Sequence, residues 1–278
     1  MLLRFTKMHG LGNDFMMVDL VSQRAHIYPD TIRKLADRRT GIGFDQLLTV
    51  SPPDDPNADF RYTIFNADGS EAEQCGNGAR CFLRFVRDQG LTTKSFLRLQ
   101  TISGQISCRL EKDGNITVNM GTPILQPARI PFIADSQQIL YELEQPHSAE
   151  VTTASVVNVG NPHAVISVKD LDNAPIVSLG PIIESHERFP EKVNVGFMQI
   201  LSRTQIRLRV YERGVGETQA CGSGACAAIV AGRLQGLLDE HIEVELPGGK
   251  LELSWAGENA PIMMKGPARR IYEGRLKL

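Results

Sequence analysis

The chain has 278 residues, 42% apolar and 22% charged, with a formal net charge of −2. That length supports two ordinary domains, the near-neutral charge recommends no nucleic-acid partner, and no apolar run approaches the roughly 20 residues of a membrane span. Residues 1–7 turn polar too early for a secretory signal, so a cytoplasmic location is expected, with the five cysteines as thiols rather than a disulfide framework.

Residues 8–15 form a glycine-containing loop, and 15–20 an apolar run. A short helix is expected over 30–38, capped by Asp30 and stopped near Gly41. Strand signals follow over 41–50 and 61–65, separated by a proline-rich loop at 51–57. Residues 76–88 read as a helix with Cys81, Phe82, Phe85 and Val86 on one face, arginines on the other, and a stop at Gly90. Three alternating segments, 96–101, 105–110 and 115–120, read as strands joined by turns at Gly104 and Asp113-Gly114. The proline-rich stretch 123–131 is expected to cross between domains. Strand signals resume at 156–165, 193–197 and 206–211. Residues 225–234 form a helix apolar nearly all round, which should be buried. A hairpin, 242–246 with 251–253, comes next, and 262–278 is expected to return to the first domain.

One stretch occurs twice. Phe65 to Cys81 and Tyr211 to Cys226 align through Cys75 and Cys221. Both copies carry an aromatic residue ten before the cysteine, a Glu four before it, and a Cys-Gly-x-Gly-Ala core. The chain is therefore expected to be two related α+β domains, 1–121 (completed by 267–278) and 122–266. Each would be a sheet around one central helix, with Cys75 and Cys221 at facing helix N-termini across a cleft.

A helix N-terminus carries unpaired N–H groups and partial positive charge. A cysteine there can have a lowered pKa, and glycines leave the N–H groups open to an anion. Two such motifs suit proton removal on one face of a carbon and proton return on the other. Cys81, Cys108 and Cys226 are expected to be core residues. A zinc site lacks the paired C-x₂₋₄-C form, a phosphate loop lacks Gly-Lys-Ser/Thr, and a cysteine hydrolase has no use for a duplicated thiol.

Both copies of the repeat, together with His9-Gly10-Leu11-Gly12-Asn13-Asp14-Phe15 and Gly160-Asn161-Pro162-His163, resemble the signatures of the diaminopimelate epimerase family. The resemblance spans nearly the whole chain. It implies two pseudo-symmetric domains, each a barrel-like sheet around a helix, with the active site in the interdomain cleft. It also implies an isomerase that interconverts LL- and meso-2,6-diaminopimelate, in lysine and cell-wall precursor synthesis, without pyridoxal phosphate or metal. Cys75 and Cys221 would be the acid–base pair, assisted by His163 and Glu212. Gly76-Asn77 and Gly222-Ser223 would hold the reacting carboxylate. Asn13, Gln46, Asn66, Asn161, Asn194, Glu212 and Arg213 would contact the rest of the substrate, and Tyr272 a partner in a homodimer. The rival readings are a proline racemase-type two-thiol enzyme and a relative of the same fold without this chemistry.

Overall fold

The computed structural model describes residues 2–72, 75–145 and 150–277. The chain divides into two units, Met1–Asn119 with Lys265–Leu278, and Met120–Met264. Among the described residues no helix is long and apolar enough to cross a membrane.

The first unit begins with β1 (Leu2–Gly10) and β2 (Asn13–Asp19), an antiparallel hairpin in which Gly10 pairs with Asn13. Its two-residue turn, Leu11-Gly12, has φ of 57° and 89°. Both angles lie in the region that two-residue hairpins need to match strand twist. The sequence showed only a loop at 8–15, yet β1 carries the chain straight into it. Helix α1 (Pro29–Ala36) follows. Asp30 does not cap it: Tyr28 is the N-cap, Pro29 supplies the pre-set first turn, and Asp30 pairs with Arg33 instead. Then come β3 (Gln46–Ser51), β4 (Phe60–Asn66), the short β5 (Glu71–Ala72), α2 (Gly76–Asp88), β6 (Phe96–Thr101), β7 (Gly104–Leu110) and β8 (Ile116–Asn119). Strand β2 runs parallel to β3, β3 antiparallel to β4, β4 parallel to β6, and β6, β7 and β8 form an antiparallel meander. Helix α2 packs on β1, β2 and β3 and also on β7 and β8, so the sheet wraps around it.

One expectation for α2 fails. Its arginines do not all face solvent: Arg80 is fully buried. Its Nε donates to the Pro267 carbonyl at 3.1 Å and its Nη2 to Asn77 Oδ1 at 2.8 Å. Buried charge persists where such partners replace water.

The second unit repeats the pairing scheme. Residues 123–131, expected as a crossing, belong to it: Ile124 bridges Asn158, and Pro127–Arg129 is a 3₁₀ turn. Its elements are β9 (Tyr141–Glu144), β10 (Val151–Asn158), β11 (Pro162–Ser167), α3 (Ile176–Glu184), β12 (Asn194–Ser202), β13 (Gln205–Glu212), β14 (Gly216–Thr218), α4 (Gly222–Leu234), β15 (His241–Leu246) and β16 (Gly249–Ser254). Strand β10 is antiparallel to β11, β11 parallel to β12, β12 antiparallel to β13, β13 parallel to β15, and β15 antiparallel to β16. This is the order seen in the first unit, with α4 in the place of α2. Every residue from Ala225 to Ala231 is fully buried. A helix of small apolar residues is what a closely wrapped sheet can accept on all sides.

After β17 (Met263–Gly266), β18 (Arg269–Lys277) pairs antiparallel with β1, Leu3 opposite Leu276 and Phe5 opposite Gly274. The C-terminal strand thus clusters with the first unit. The fold is α+β in two units.

Candidate active site

In the first unit, β4 ends at Asn66, the turn at Gly69 (φ 86°) reverses the chain, and Cys75 becomes the N-cap of α2. The motif residues Glu73 and Gln74 lie outside the described residues. Cys75 has extended backbone geometry, and its Sγ accepts from the Gly78 N–H at 3.4 Å, the role that Ser or Asp usually plays at a cap. The same sulfur lies 3.7 Å from Asn13 Oδ1 as a thiol donor. Asn77 Nδ2 donates to that Oδ1 at 3.2 Å. The Tyr62 hydroxyl donates to the Cys75 carbonyl at 3.1 Å. Gln46 and Asn66 sit opposite each other on β3 and β4, with Gln46 Nε2 donating to Asn66 Oδ1 at 3.0 Å. Asn13, Gln46, Asn66, Gly76 and Asn77 thus lie on the elements that meet at the N-terminus of α2, Asn13 and Asn77 directly beside Cys75.

A charged cluster that the sequence did not single out backs Asn13. Asn13 Nδ2 donates to Asp45 Oδ2 at 3.0 Å. Arg38 bridges Asp45 and Asp14, and buried Lys7 donates to Asp14 at 2.6 Å and to the Gly43 carbonyl. Burial alone would raise the Asp14 pKa, but Arg38 and Lys7 outweigh it and hold the carboxyl well below its usual range.

In the second unit, Cys221 is the N-cap of α4. Its Sγ donates to Glu212 Oε2 at 3.2 Å and lies 3.6 Å from Ser223 Oγ. Thr218 Oγ1 donates to the other Glu212 oxygen. The expected lowering of a helix-start thiol pKa does not apply here. Burial and the Glu212 carboxylate push the Cys221 thiol well above its ordinary value, against opposing hydrogen bonds from Ser223 and the Gly224 N–H. Cys221 therefore carries its proton in this arrangement, with a base in contact.

His163 is fully buried and bonds through Nε2 to Asn161 Oδ1 at 2.9 Å, so its hydrogen bond goes to Asn161 and not to Cys221. Because an amide oxygen only accepts, Nε2 carries the ring proton. Nδ1 has no partner among the described residues. Burial, reinforced by Arg213, lowers its pKa to about 3, so the ring is neutral. Asn194 sits beside His163 in the parallel β11–β12 register. Its amide is engaged at both ends, donating to the Pro162 carbonyl at 3.0 Å and accepting from the Arg213 N–H at 2.9 Å. The Arg213 side chain donates to the Glu191 carbonyl at 2.8 Å. Tyr272 lies on β18 of the first unit, 44% exposed and edge-on to Phe5 at 6.1 Å.

The family model described as Diaminopimelate epimerase matches residues 5–126 and 155–271. The chain belongs to the diaminopimelate epimerase family. It is 58% identical to the diaminopimelate epimerase of Ectopseudomonas mendocina (strain ymp) over 279 residues, covering 100% of both. It is 57% identical over 278 residues to that of Pseudomonas aeruginosa PAO1, again over 100% of both. Among solved structures, a probable proline racemase from Agrobacterium radiobacter K84 superposes with a TM-score of 0.73 at 14% identity, covering 99% of this chain and 93% of that one. At that identity the likeness is one of fold.

Asp45, Arg80, Tyr62 and Thr218 were missed in the sequence. For Arg80 a signal existed: it stands between Ala79 and Cys81, directly after the Cys-Gly-x-Gly-Ala core. Asp45 and Thr218 have none, because their partners Asn13 and Glu212 are reached only through strand pairing.

Proposed function

We propose that the chain interconverts LL- and meso-2,6-diaminopimelate by removing the α-proton with one thiol and returning a proton to the opposite face from the other, without a cofactor. The observation that carries this reading is that each unit of a chain in this family puts one cysteine at the N-cap of its central 13-residue helix. Inversion of a stereocentre needs a base for one face of the carbon and an acid for the other. Cys221 meets the first need when Glu212 takes its proton and leaves a thiolate. Cys75, a donor toward Asn13 Oδ1, meets the second by returning a proton. The reverse reaction exchanges the roles.

An α-proton is weakly acidic, and negative charge grows on the α-carboxylate as it leaves. The N–H groups of Gly76-Asn77 and Gly222-Ser223, at the positive ends of α2 and α4, suit that charge. Asn66 with Gln46, Asn161 and Arg213 supply polar groups of both kinds for a substrate with two amino-acid ends, and Asn194 seats the Arg213 backbone. His163 acts as a neutral ring that fixes Asn161. The meso product would feed lysine and cell-wall precursor synthesis in the cytoplasm. A homodimer with Tyr272 in the contact completes the reading, checked by light scattering of the wild type and Tyr272→Ala.

The direct test incubates the protein with LL-diaminopimelate and no added cofactor, with proline in parallel. Appearance of the meso form supports the reading. Turnover of proline alone would move the substrate to the racemase alternative.

A further inference from the structure

We propose that Asp45 and Arg80 lock a relay of two amides that holds a carbonyl oxygen, rather than an amide NH₂, against the Cys75 thiol, and so set its proton state. The relay runs Asp45–Asn13–Asn77–Arg80. An amide has one accepting and one donating end, so its direction follows from its neighbours. A carboxylate only accepts and a guanidinium only donates. Asp45 Oδ2 takes Asn13 Nδ2 at 3.0 Å, which turns Asn13 Oδ1 the other way. Arg80 Nη2 donates to Asn77 Oδ1 at 2.8 Å, which turns Asn77 Nδ2 toward Asn13. Those two directions meet at one bond, Asn77 Nδ2 to Asn13 Oδ1 at 3.2 Å. Neither amide can flip without placing a donor on Arg80 or an acceptor on Asp45. Cys75 Sγ, 3.7 Å from the locked oxygen, meets an acceptor for its proton.

The two ends are themselves fixed. Asp45 accepts from Asp14 N and Asn13 on Oδ2 and from Arg38 on Oδ1 at 2.7 Å, so donors occupy both of its oxygens. Arg38 is bound in turn by Asp14, which Lys7 holds. Arg80 is anchored on the Pro267 carbonyl at 3.1 Å. Among the described residues, the buried Tyr62 phenol on β4 and the Cys81 thiol on α2 also bear on Cys75. The duplicated unit holds its thiol differently: Glu212, a carboxylate, touches Cys221, while the aligned position in the first unit is Asn66. A neutral acceptor held by remote charges thus stands where the other half uses a charge in contact. Asp45 and Arg80 are positioning residues, acting through Asn13 and Asn77.

Asp45→Asn is the test, because it keeps the shape but cannot accept on both sides. Alkylation by iodoacetamide, mapped to each cysteine at one pH, should rise several-fold at Cys75, where an amide N–H can now meet the sulfur and favour thiolate. Cys221, in the other unit, should be unchanged. Turnover of LL-diaminopimelate should fall about ten- to a hundredfold in kcat with little change in KM. Unchanged Cys75 alkylation in a variant with the wild-type circular dichroism spectrum would overturn the relay, as would equal increases at both cysteines. The catalytic role of Cys75 is a separate matter: faster Cys75 alkylation with wild-type kcat supports the relay and removes Cys75 from the reaction. A measurement on the wild type needs no variant. Nuclear Overhauser contacts of the Asn13 NH₂ should reach the Asp14 amide proton, and contacts to the Cys75 methylene instead would overturn the proposal.

Discussion

Cys221 Sγ lies 3.2 Å from Glu212 Oε2, and the residue aligned with Glu212 in the other half of the repeat, Asn66, accepts from Gln46 and donates to Ser70 instead. The duplicated motif is therefore chemically unequal. One thiol has a carboxylate base in contact. The other has a carbonyl oxygen and a helix N–H.

Glu212→Gln should separate thiol acidity from catalysis. The carboxylate is the second cause, after burial, that raises the Cys221 pKa. Removing its charge should make Cys221 easier to ionise and faster to alkylate. Turnover should still fall by about 10²–10⁴-fold, because the proton acceptor is gone. Parallel alkylation and steady-state kinetics check both. Slower Cys221 alkylation would show that Glu212 does not set its proton state.

Gly78 is bound to stay glycine by its surroundings. A Cβ there would run into the Tyr62 hydroxyl, while the Gly78 N–H donates to Cys75 Sγ. Gly78→Ala should gain about 1 kcal/mol of helix propensity yet lose about 1–3 kcal/mol to overpacking. Adding Tyr62→Phe removes the obstructing oxygen and should recover part of the loss. Denaturant melts of the two single variants and the double variant give the coupling, and strict additivity would count against this contact.

His163 gives an acid-limb prediction. Its folded pKa of about 3 lies below the ordinary value of 6.5, so between these the unfolded chain binds more protons. Stability then rises with pH across that window and falls as pH drops through it. From pH 7 to pH 5 this single group should cost about 2 kcal/mol. His163→Gln keeps a donor for Asn161 and loses the titration, so its stability should decline less between those two pH values. Urea melts at pH 7 and pH 5 measure the difference, and equal declines would contradict the buried neutral ring.

Much of this was legible in the sequence because it rests on local signals. The caps and glycines around Cys75 and Cys221 marked where α2 and α4 start, and alternation marked β6, β7, β13 and β15. Strand β1 was not legible, since Arg4, Thr6 and Lys7 interrupt its apolar residues, and Lys7 is buried only because Asp14 and Gly43 supply partners. Helix α3 was hidden by Gly180 and Pro181, and Gly180 is needed where a Cβ would fall 2.6 Å from the Tyr211 ring. At the site, residue types could be matched to a family pattern, but hydrogen-bond directions could not. That His163 bonds to Asn161, and that Asn194 serves Pro162 and Arg213, depends on pairings across β11, β12 and β13.

The central claim is that one thiol removes the α-proton and the other returns a proton to the opposite face. The measurement that tests it most directly is reaction of the reduced protein with LL-diaminopimelate in heavy water, following epimer ratio and α-deuterium together, with Cys75→Ala and Cys221→Ala alongside. The account predicts meso product carrying deuterium at the inverted carbon, and loss of conversion in both variants. Full conversion by either single variant would contradict it.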